Sequence, residues 1–443
     1  MRFATASTTA FTATSTRSAH SASTNTSTHG ARADIDSDAD ADININTDRQ
    51  DRQDLAACRQ LLAHGSRTFL AASHLLPRAV RDPACALYAF CRLADDEVDG
   101  QTGGGAPTGM AATASAAGSG SGSGSGAAPP TAAQAKAAVG RLRHRLRRVY
   151  QGQPQDHAAD RALAQVVRRF NIPPQLPEAL LEGFEWDAAE RRYETLADLH
   201  AYAARVAGSV GAMMALLMGV RSAAGLARAC DLGVAMQLSN IARDVGEDAR
   251  GGRLYLPRQW LREVGIDPDA CLAAPVHSPA LGQVVQRLLR EADRLYAQVG
   301  AGVAALPLGC RPGINAARFL YAQIGLEVER RGLNAMAGRA RVSRGRKLAS
   351  LLHAVVAVAA QAPRGTGVTA PPLPATRYLV EAVTGNLPDS DPERRPVEAS
   401  RRGAGHNAVP ASQRQSLPQR LEGVIALFER LERRDRGAGL AIE

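Results

Sequence analysis

Residues 237–257 read Gln-Leu-Ser-Asn-Ile-Ala-Arg-Asp-Val-Gly-Glu-Asp-Ala-Arg-Gly-Gly-Arg-Leu-Tyr-Leu-Pro. Leu232, Ala235, Met236, Leu238 and Ile241 recur with a helical period and form one apolar stripe, the mark of a buried helix face. Asn240, Asp244 and Asp248 follow at i, i+4 and i+8 on another face, so three oxygen-bearing side chains point the same way. Gln237 and Arg243 border that face. Gly251 and Gly252 predict the end of the helix, and Pro257 bars its early resumption. Carboxylate and amide oxygens suit a hard cation such as magnesium, which keeps waters and is shared with substrate phosphates. An ordinary solvated helix face would show the same spacing. Val245 and Gly246 speak against that plainer reading, since a glycine inside a helix costs roughly 1 kcal/mol relative to alanine.

A second acidic stretch lies upstream. Residues 87–99 read Leu-Tyr-Ala-Phe-Cys-Arg-Leu-Ala-Asp-Asp-Glu-Val-Asp. Asp95 and Asp99 are four apart on one helical face, with Arg92 a turn earlier. Two acidic helix ends, each beside an arginine, can together hold divalent cations that in turn hold a diphosphate. A calcium loop needs acidic residues at alternate positions around a central glycine, and neither stretch has that spacing. No cysteine or histidine joins either cluster, which argues against zinc.

These two stretches resemble the paired aspartate-rich motifs of the head-to-head isoprenoid synthases, the squalene and phytoene synthase family. The match is closest to its bacterial phytoene synthases. Gly65-Ser66-Arg67-Thr68-Phe69, Ala86 to Asp99, Arg192-Tyr193-Glu194-Thr195, Tyr202 to Gly211 and Ala316 to Gly325 carry the rest of the likeness, in family order, across residues 55–362. The resemblance implies an all-α domain with a central cavity walled by helices and the two acidic motifs facing each other across its mouth. It implies that Asp95, Asp99, Asn240, Asp244 and Asp248 ligate Mg2+ or Mn2+. By the same likeness Arg92, Tyr202, Arg243 and Tyr321 form the catalytic set. Ser66, Thr68 and Phe69 would lie over the substrate diphosphate, with Gln237 and Tyr255 nearby. Val206 and Gly208 would wall the prenyl-chain pocket, Tyr202 would face the reacting carbons, and Arg339 and Arg341 would approach a diphosphate.

The implied activity is condensation of two geranylgeranyl diphosphates to phytoene, through prephytoene diphosphate, in carotenoid biosynthesis. Two other readings stay open: a squalene or hydroxysqualene synthase acting on farnesyl diphosphate, and a non-catalytic helical assembly protein of the same fold. A hydrocarbon product implies a membrane surface for its release, and other carotenoid-pathway enzymes are further expected partners. The expected location is the cytoplasm, with peripheral contact to the inner face of the membrane.

Composition narrows the alternatives. The 443 residues are 45% apolar, enough for a sizeable core, but only 4% aromatic. The formal net charge of +10 admits anionic partners. Its arginines, however, are interleaved with acids along helices and lack stacking aromatics, which argues against nucleic acid. Six cysteines show no paired metal or redox spacing, so reduced, buried thiols are expected. No apolar run reaches the roughly 18 residues of a membrane span.

Along the chain, residues 1–53 are rich in Ser, Thr, Ala and Asp and are predicted to be a disordered tail. Their acid-poor first part loosely resembles a transit peptide. The synthase domain is expected over 54–362, interrupted by a flexible Gly/Ser insertion at 100–132. Arg141, Arg143, Arg145, Arg147 and Arg148 lie on a basic helix, read as a solvated face or a contact for anionic lipid. Residues 363–415 read as a disordered linker. A final amphipathic helix is predicted over 416–436 through Leu417, Leu421, Val424, Phe428 and Leu431.

Overall fold

The structure is a computed structural model that describes residues 48–63, 67–100, 131–360 and 370–385. It divides into two units, residues 1–50 and 51–443; of the first, only residues 48–50 are described, and they are helical. The Gly/Ser insertion at 101–130, the tail before residue 48 and the amphipathic stretch at 416–436 lie outside the described residues.

The described part of the larger unit is helical throughout, with no strand. Its elements are α1 (residues 51–63), α2 (Arg67–His74), α3 (Arg78–Val98), α4 (Ala132–Tyr150), α5 (Ala158–Phe170) and α6 (Gln175–Ala188). Next come α7 (Leu196–Ala203), a π-helical segment (Ala204–Gly208), α8 (Ser209–Leu217) and α9 (Ala223–Arg250). Then follow α10 (Arg258–Glu263), α11 (Pro268–Ala273), α12 (Pro279–Ala305), α13 (Arg311–Arg330) and α14 (Arg344–Ala360). A 3-10 turn (Pro374–Thr376) and α15 (Arg377–Thr384) close the described chain. Helix α1 is already formed at Asp51, slightly ahead of the expected tail boundary.

Helix α9 is the axis of the fold, contacted by α12, α8, the π segment and α13. It is capped at its start by the Ser222 side chain, which accepts from the Gly225 amide at 3.3 Å. It ends where the sequence predicts: Gly251 is the C-cap and Gly252 adopts φ +77°, a left-handed conformation that glycine takes without strain. Twenty of its residues are buried, including Asn240, Arg243 and Asp244. A helix so buried needs close neighbours. Cβ atoms built on Gly233 and Gly211 would fall 2.2 Å from the carbonyl oxygens of Ala207 and Ala229, so these glycines let backbone pack on backbone.

The basic helix α4 keeps one face in solvent, with Arg141 and Arg147 exposed, and ties neighbouring helices through its arginines. Arg141 and Arg145 reach Glu97 of α3, Arg145 also holds the fully buried Asp160 of α5 at 2.7 Å, and Arg143 holds Glu185 of α6. These pairs fix three helices around it. Part of the expected linker is also structured. Residues 370–384 form a strap whose Leu379, Val380 and Val383 are buried and which contacts α6, α8 and α9. The apolar side chains of α15 recur at helical spacing on one face, and that burial outweighs the Pro- and Gly-rich composition around it. All six cysteines are buried and free. Among the described residues, no helix is long and apolar enough to cross a membrane.

Candidate active site

The two acidic motifs come together through α3 and α9. Asp99 is the C-cap of α3, and its amide donates to the Asp95 carbonyl at 3.0 Å. Just past the end of α9, Arg253 donates to the Asp99 carboxylate at 3.1 Å, tying the second motif to the first. Helix geometry stacks Asn240, Asp244 and Asp248 on the facing side of α9, as the spacing predicts.

Arginines neutralise part of this charge. Arg92 pairs with Asp96, which the sequence reading left unassigned, at 2.9 Å. Arg243 donates to Asp244 at 2.7 Å, and Arg339 reaches the same Asp244 oxygen at 3.0 Å. Arg339 comes from the segment after α13, which Gly246 admits: the Gly246 amide donates to the Ala335 carbonyl at 3.3 Å, and a Cβ there would fall 2.7 Å from Met336 Cα. The helical glycine that looked costly in sequence makes room for this approach. Arg341 is exposed and is not drawn into the cluster.

The remaining carboxylates carry an excess of negative potential. Burial raises Asp95 well above the ordinary carboxylate range; the Asp99 charge adds to this, Arg92 opposes it, and Asp96 and Asp187 raise it further. Burial likewise raises Asp248, with Asp244 and Asp187 adding and Arg253 and Arg339 opposing. Asp95 Oδ2 and Asn240 Oδ1 are buried with no hydrogen-bond partner. An all-oxygen donor set with orphaned acceptors and crowded carboxylates fits a hard divalent cation. Among the described residues, no three His, Cys, Asp or Glu side chains stand close enough to cage a metal by themselves. Magnesium needs no such cage, because one or two carboxylates suffice when phosphate oxygens and waters complete its shell.

Beside this cluster runs an apolar cavity enclosing about 1170 Å³ of empty space, its mouth included. Gln237, Asn240 and Tyr321 line it near the acidic motifs, together with Phe69 and Tyr88. Phe69 stacks on Tyr88, a residue missed in the sequence reading, with ring centroids 5.5 Å apart. Gln237 Oε1 is buried without a hydrogen-bond partner. Deeper in the cavity, Met214, Met218, Val299, Val303 and Leu306 form apolar walls.

Some expected positions lie elsewhere. Val206 and Gly208 do not line the cavity; Ala207, Val210 and Gly211 do. Val206 packs against Gly183 of α6, and Gly208 faces Leu379 and Thr376 of the strap. The reason is the π segment, whose wider turn shifts the register, so that the Ser209 amide reaches back five residues to the Ala204 carbonyl. Tyr202 and Tyr255 also stand outside the cavity lining. Both are buried and donate to one carboxylate, that of Asp187 in the last turn of α6, at 2.8 and 2.7 Å. Tyr193 packs against both rings. Burial pushes Asp187 up to about 6, against the opposing effects of Arg253 and the two tyrosines. No local spacing in the sequence marks Asp187 as part of the site. Ser66 lies outside the described residues, and the side chain of Thr68 is likewise outside them; only its helical backbone in α2 is described.

A profile of the squalene/phytoene synthase family matches residues 62–346. The chain belongs to the squalene/phytoene synthase family. Two bacterial family members named phytoene synthase are similar over most of their length. That of Rhodobacter capsulatus is 44% identical over 389 residues, covering 87% of this chain and 98% of the relative. That of Cereibacter sphaeroides is 48% identical over 332 residues, covering 74% and 87%. Among solved structures, a dehydrosqualene synthase in complex with ligand superposes with a TM-score of 0.59 at 26% identity, covering 70% of this chain and 99% of that one. The family fold is therefore the all-helical isoprenoid synthase fold expected from the sequence.

Proposed function

We propose that the protein is a prenyltransferase of the 15-cis-phytoene synthase type, joining two geranylgeranyl diphosphates head to head in carotenoid biosynthesis. The observation that carries this reading is the juxtaposition of an apolar cavity with two acidic motifs bridged by Arg253 and Asp99. The family match and the names of its bacterial relatives support it.

The chemistry follows from the residue types. The allylic carbon–oxygen bond breaks, and its electron pair leaves with the diphosphate. Asp95, Asp99, Asn240, Asp244 and Asp248 would hold Mg2+ or Mn2+, which would supply positive charge for that leaving group. Arg92 and Arg243, paired with Asp96 and Asp244, would exchange those partners for diphosphate oxygens through charge-assisted hydrogen bonds. Phe69, Tyr321 and the amides of Gln237 and Asn240 line the cavity that would take the two prenyl chains. The cavity's apolar walls keep water from the allylic cation. Attack of that cation on the second substrate's double bond, with loss of a proton as the cyclopropane ring closes, gives prephytoene diphosphate; a second ionisation that releases its diphosphate, rearrangement and loss of a second proton give phytoene.

The C40 product is insoluble in water, so we place the enzyme at the inner membrane face. The exposed Leu348, Leu352 and Val356, a turn apart on α14, support such a contact. Purified protein, magnesium and labelled geranylgeranyl or farnesyl diphosphate, incubated without nicotinamide, test the proposed reaction. A C40 triene from the longer substrate is expected. A C30 product formed from farnesyl diphosphate alone would move the activity to the squalene or hydroxysqualene branch.

A further inference from the structure

The apolar cavity carries a charge in its wall. Among the described residues that line it, Arg228 is the one with a formal charge. It is 2% exposed, and its Nε is buried with no hydrogen-bond partner. Two tethers hold the guanidinium. Its Nη2 stands 2.8 Å from the Asp231 carboxylate and donates to the Pro371 carbonyl at 3.0 Å. Pro371 belongs to the strap, which is anchored by the buried Leu379, Val380 and Val383 of α15. The stem of Arg228 lies against Gly302 of α12, where a Cβ would fall 2.5 Å from Arg228 Cβ.

Gly225, Arg228, Leu232, Met236 and Asn240 line the cavity at helical spacing, so it runs along α9. Asn240 stands at the acidic end. Arg228 lies twelve residues nearer the helix start, about 18 Å away at the α-helical rise. Of the α9 residues in the lining, Gly225 lies beyond it and has no side chain. An extended main chain of sixteen carbons spans roughly 19 Å and one of twelve roughly 14 Å, from ordinary carbon–carbon bond lengths. The first is a geranylgeranyl chain and the second a farnesyl chain. Laid along α9 from Asn240, the first ends at Arg228. The second stops roughly one helical turn short of it.

We propose that Arg228, held by Asp231 and by the strap, is the chain-length stop of this cavity and selects geranylgeranyl over longer and shorter allylic diphosphates. This rests on the head-to-head synthase reading and assigns the residue that sets its substrate length. A doubly tethered guanidinium swings aside only by breaking the ion pair and the hydrogen bond, and a hydrocarbon end offers no replacement for either. A longer chain therefore meets a fixed obstacle. A shorter chain reaches neither the stem of Arg228 nor the last apolar wall, and forfeits that burial. The stop is held from outside the cavity, since Pro371 and the other described residues of the strap do not line it.

The test compares wild type with the paired Arg228→Leu, Asp231→Leu variant, in which apolar side chains replace both charges and neither is left unpaired. Full-length protein and magnesium are incubated with farnesyl, geranylgeranyl or geranylfarnesyl diphosphate, and kcat/KM is read from the C30, C40 and C50 products. Wild type should prefer geranylgeranyl diphosphate. In the variant the geranylfarnesyl-to-geranylgeranyl ratio of kcat/KM should rise at least about tenfold, the low end of what one methylene is worth in an apolar pocket. A packing defect would lower both values together and leave the ratio where it was. Leu379→Ala with Val383→Ala, which loosens the strap and leaves α9 intact, should move the ratio the same way, and it decides alone should the paired variant not fold. An unchanged ratio in either folded variant overturns the proposal, as does a wild type that uses the two longer substrates equally well. No product from wild type with any of the three would instead sink the synthase reading on which the proposal rests.

Discussion

Arg253 donates to Asp99 across 154 positions of sequence, and so joins the end of one acidic motif to the end of the other. Its charge also opposes the raised state of Asp187 and Asp248. Replacing it with alanine should therefore leave three neighbouring carboxylates under-compensated. We expect kcat/KM to fall ~10–100-fold, the range of losing a supporting residue of a metal site. Lysine should restore only part of it, since a point charge cannot reproduce the guanidinium fork. Steady-state kinetics on the three proteins decide this, and wild-type kcat/KM for the alanine variant would rule the bridge out of function.

Asp95→Ala and Asp244→Ala remove one carboxylate from each motif. Turnover should disappear in both while far-ultraviolet circular dichroism stays as in wild type. Chelation with EDTA should abolish wild-type turnover, and added magnesium should restore it. Near-normal turnover in either variant would remove the metal assignment.

Gly246 lies where the backbone of Ala335 and Met336 crosses α9. Alanine gains helix propensity of roughly 1 kcal/mol there. Its methyl group, however, meets fixed backbone atoms, and overpacking costs typically 1–3 kcal/mol. The displaced segment carries Arg339, so Gly246→Ala should lower activity more than stability. Denaturant unfolding and kinetics on one preparation test this; higher stability with full activity would contradict it.

At the cavity wall, Arg228 forms a buried ion pair with Asp231 at 2.8 Å, and Arg228 also donates to the Pro371 carbonyl of the strap. Asp231→Ala should cost about 3–5 kcal/mol by leaving the cation uncompensated. Burial pushes Asp231 up to about 6 from an ordinary 3.8, with Arg228 opposing. The folded state thus binds this proton more tightly than the unfolded chain. The stability it contributes is full below 3.8 and is lost as pH rises through 6. Asp231→Asn should flatten that part of the stability profile between pH 4 and 6.5, which urea titrations at several pH values would show. A profile parallel to wild type would refute the assignment.

Membrane contact through α14 predicts that Leu352→Glu with Val356→Glu weakens flotation with lipid vesicles. Both side chains are exposed, so turnover in detergent should be unchanged. Undiminished flotation would exclude this face.

The sequence alone determined the central helix. The apolar stripe through Leu238 and Ile241, the oxygen face at Asn240, Asp244 and Asp248, and the stop at Gly251 and Gly252 all stand as read. Each follows from the local helical period, which fixes which side chains share a face and where the backbone turns. The strap at 370–384 was not legible, because its burial depends on distant helices whose faces no local pattern reveals.

Tertiary structure decided the partners. Asp187 shares no spacing with Tyr202 or Tyr255, Arg339 reaches Asp244 across 95 positions, and the π segment turns Val206 and Gly208 from the cavity. A period of 3.6 residues sets which side of one helix a residue occupies. It does not set which loop crosses that side, or which carboxylate two distant phenols share, because packing between helices fixes those distances.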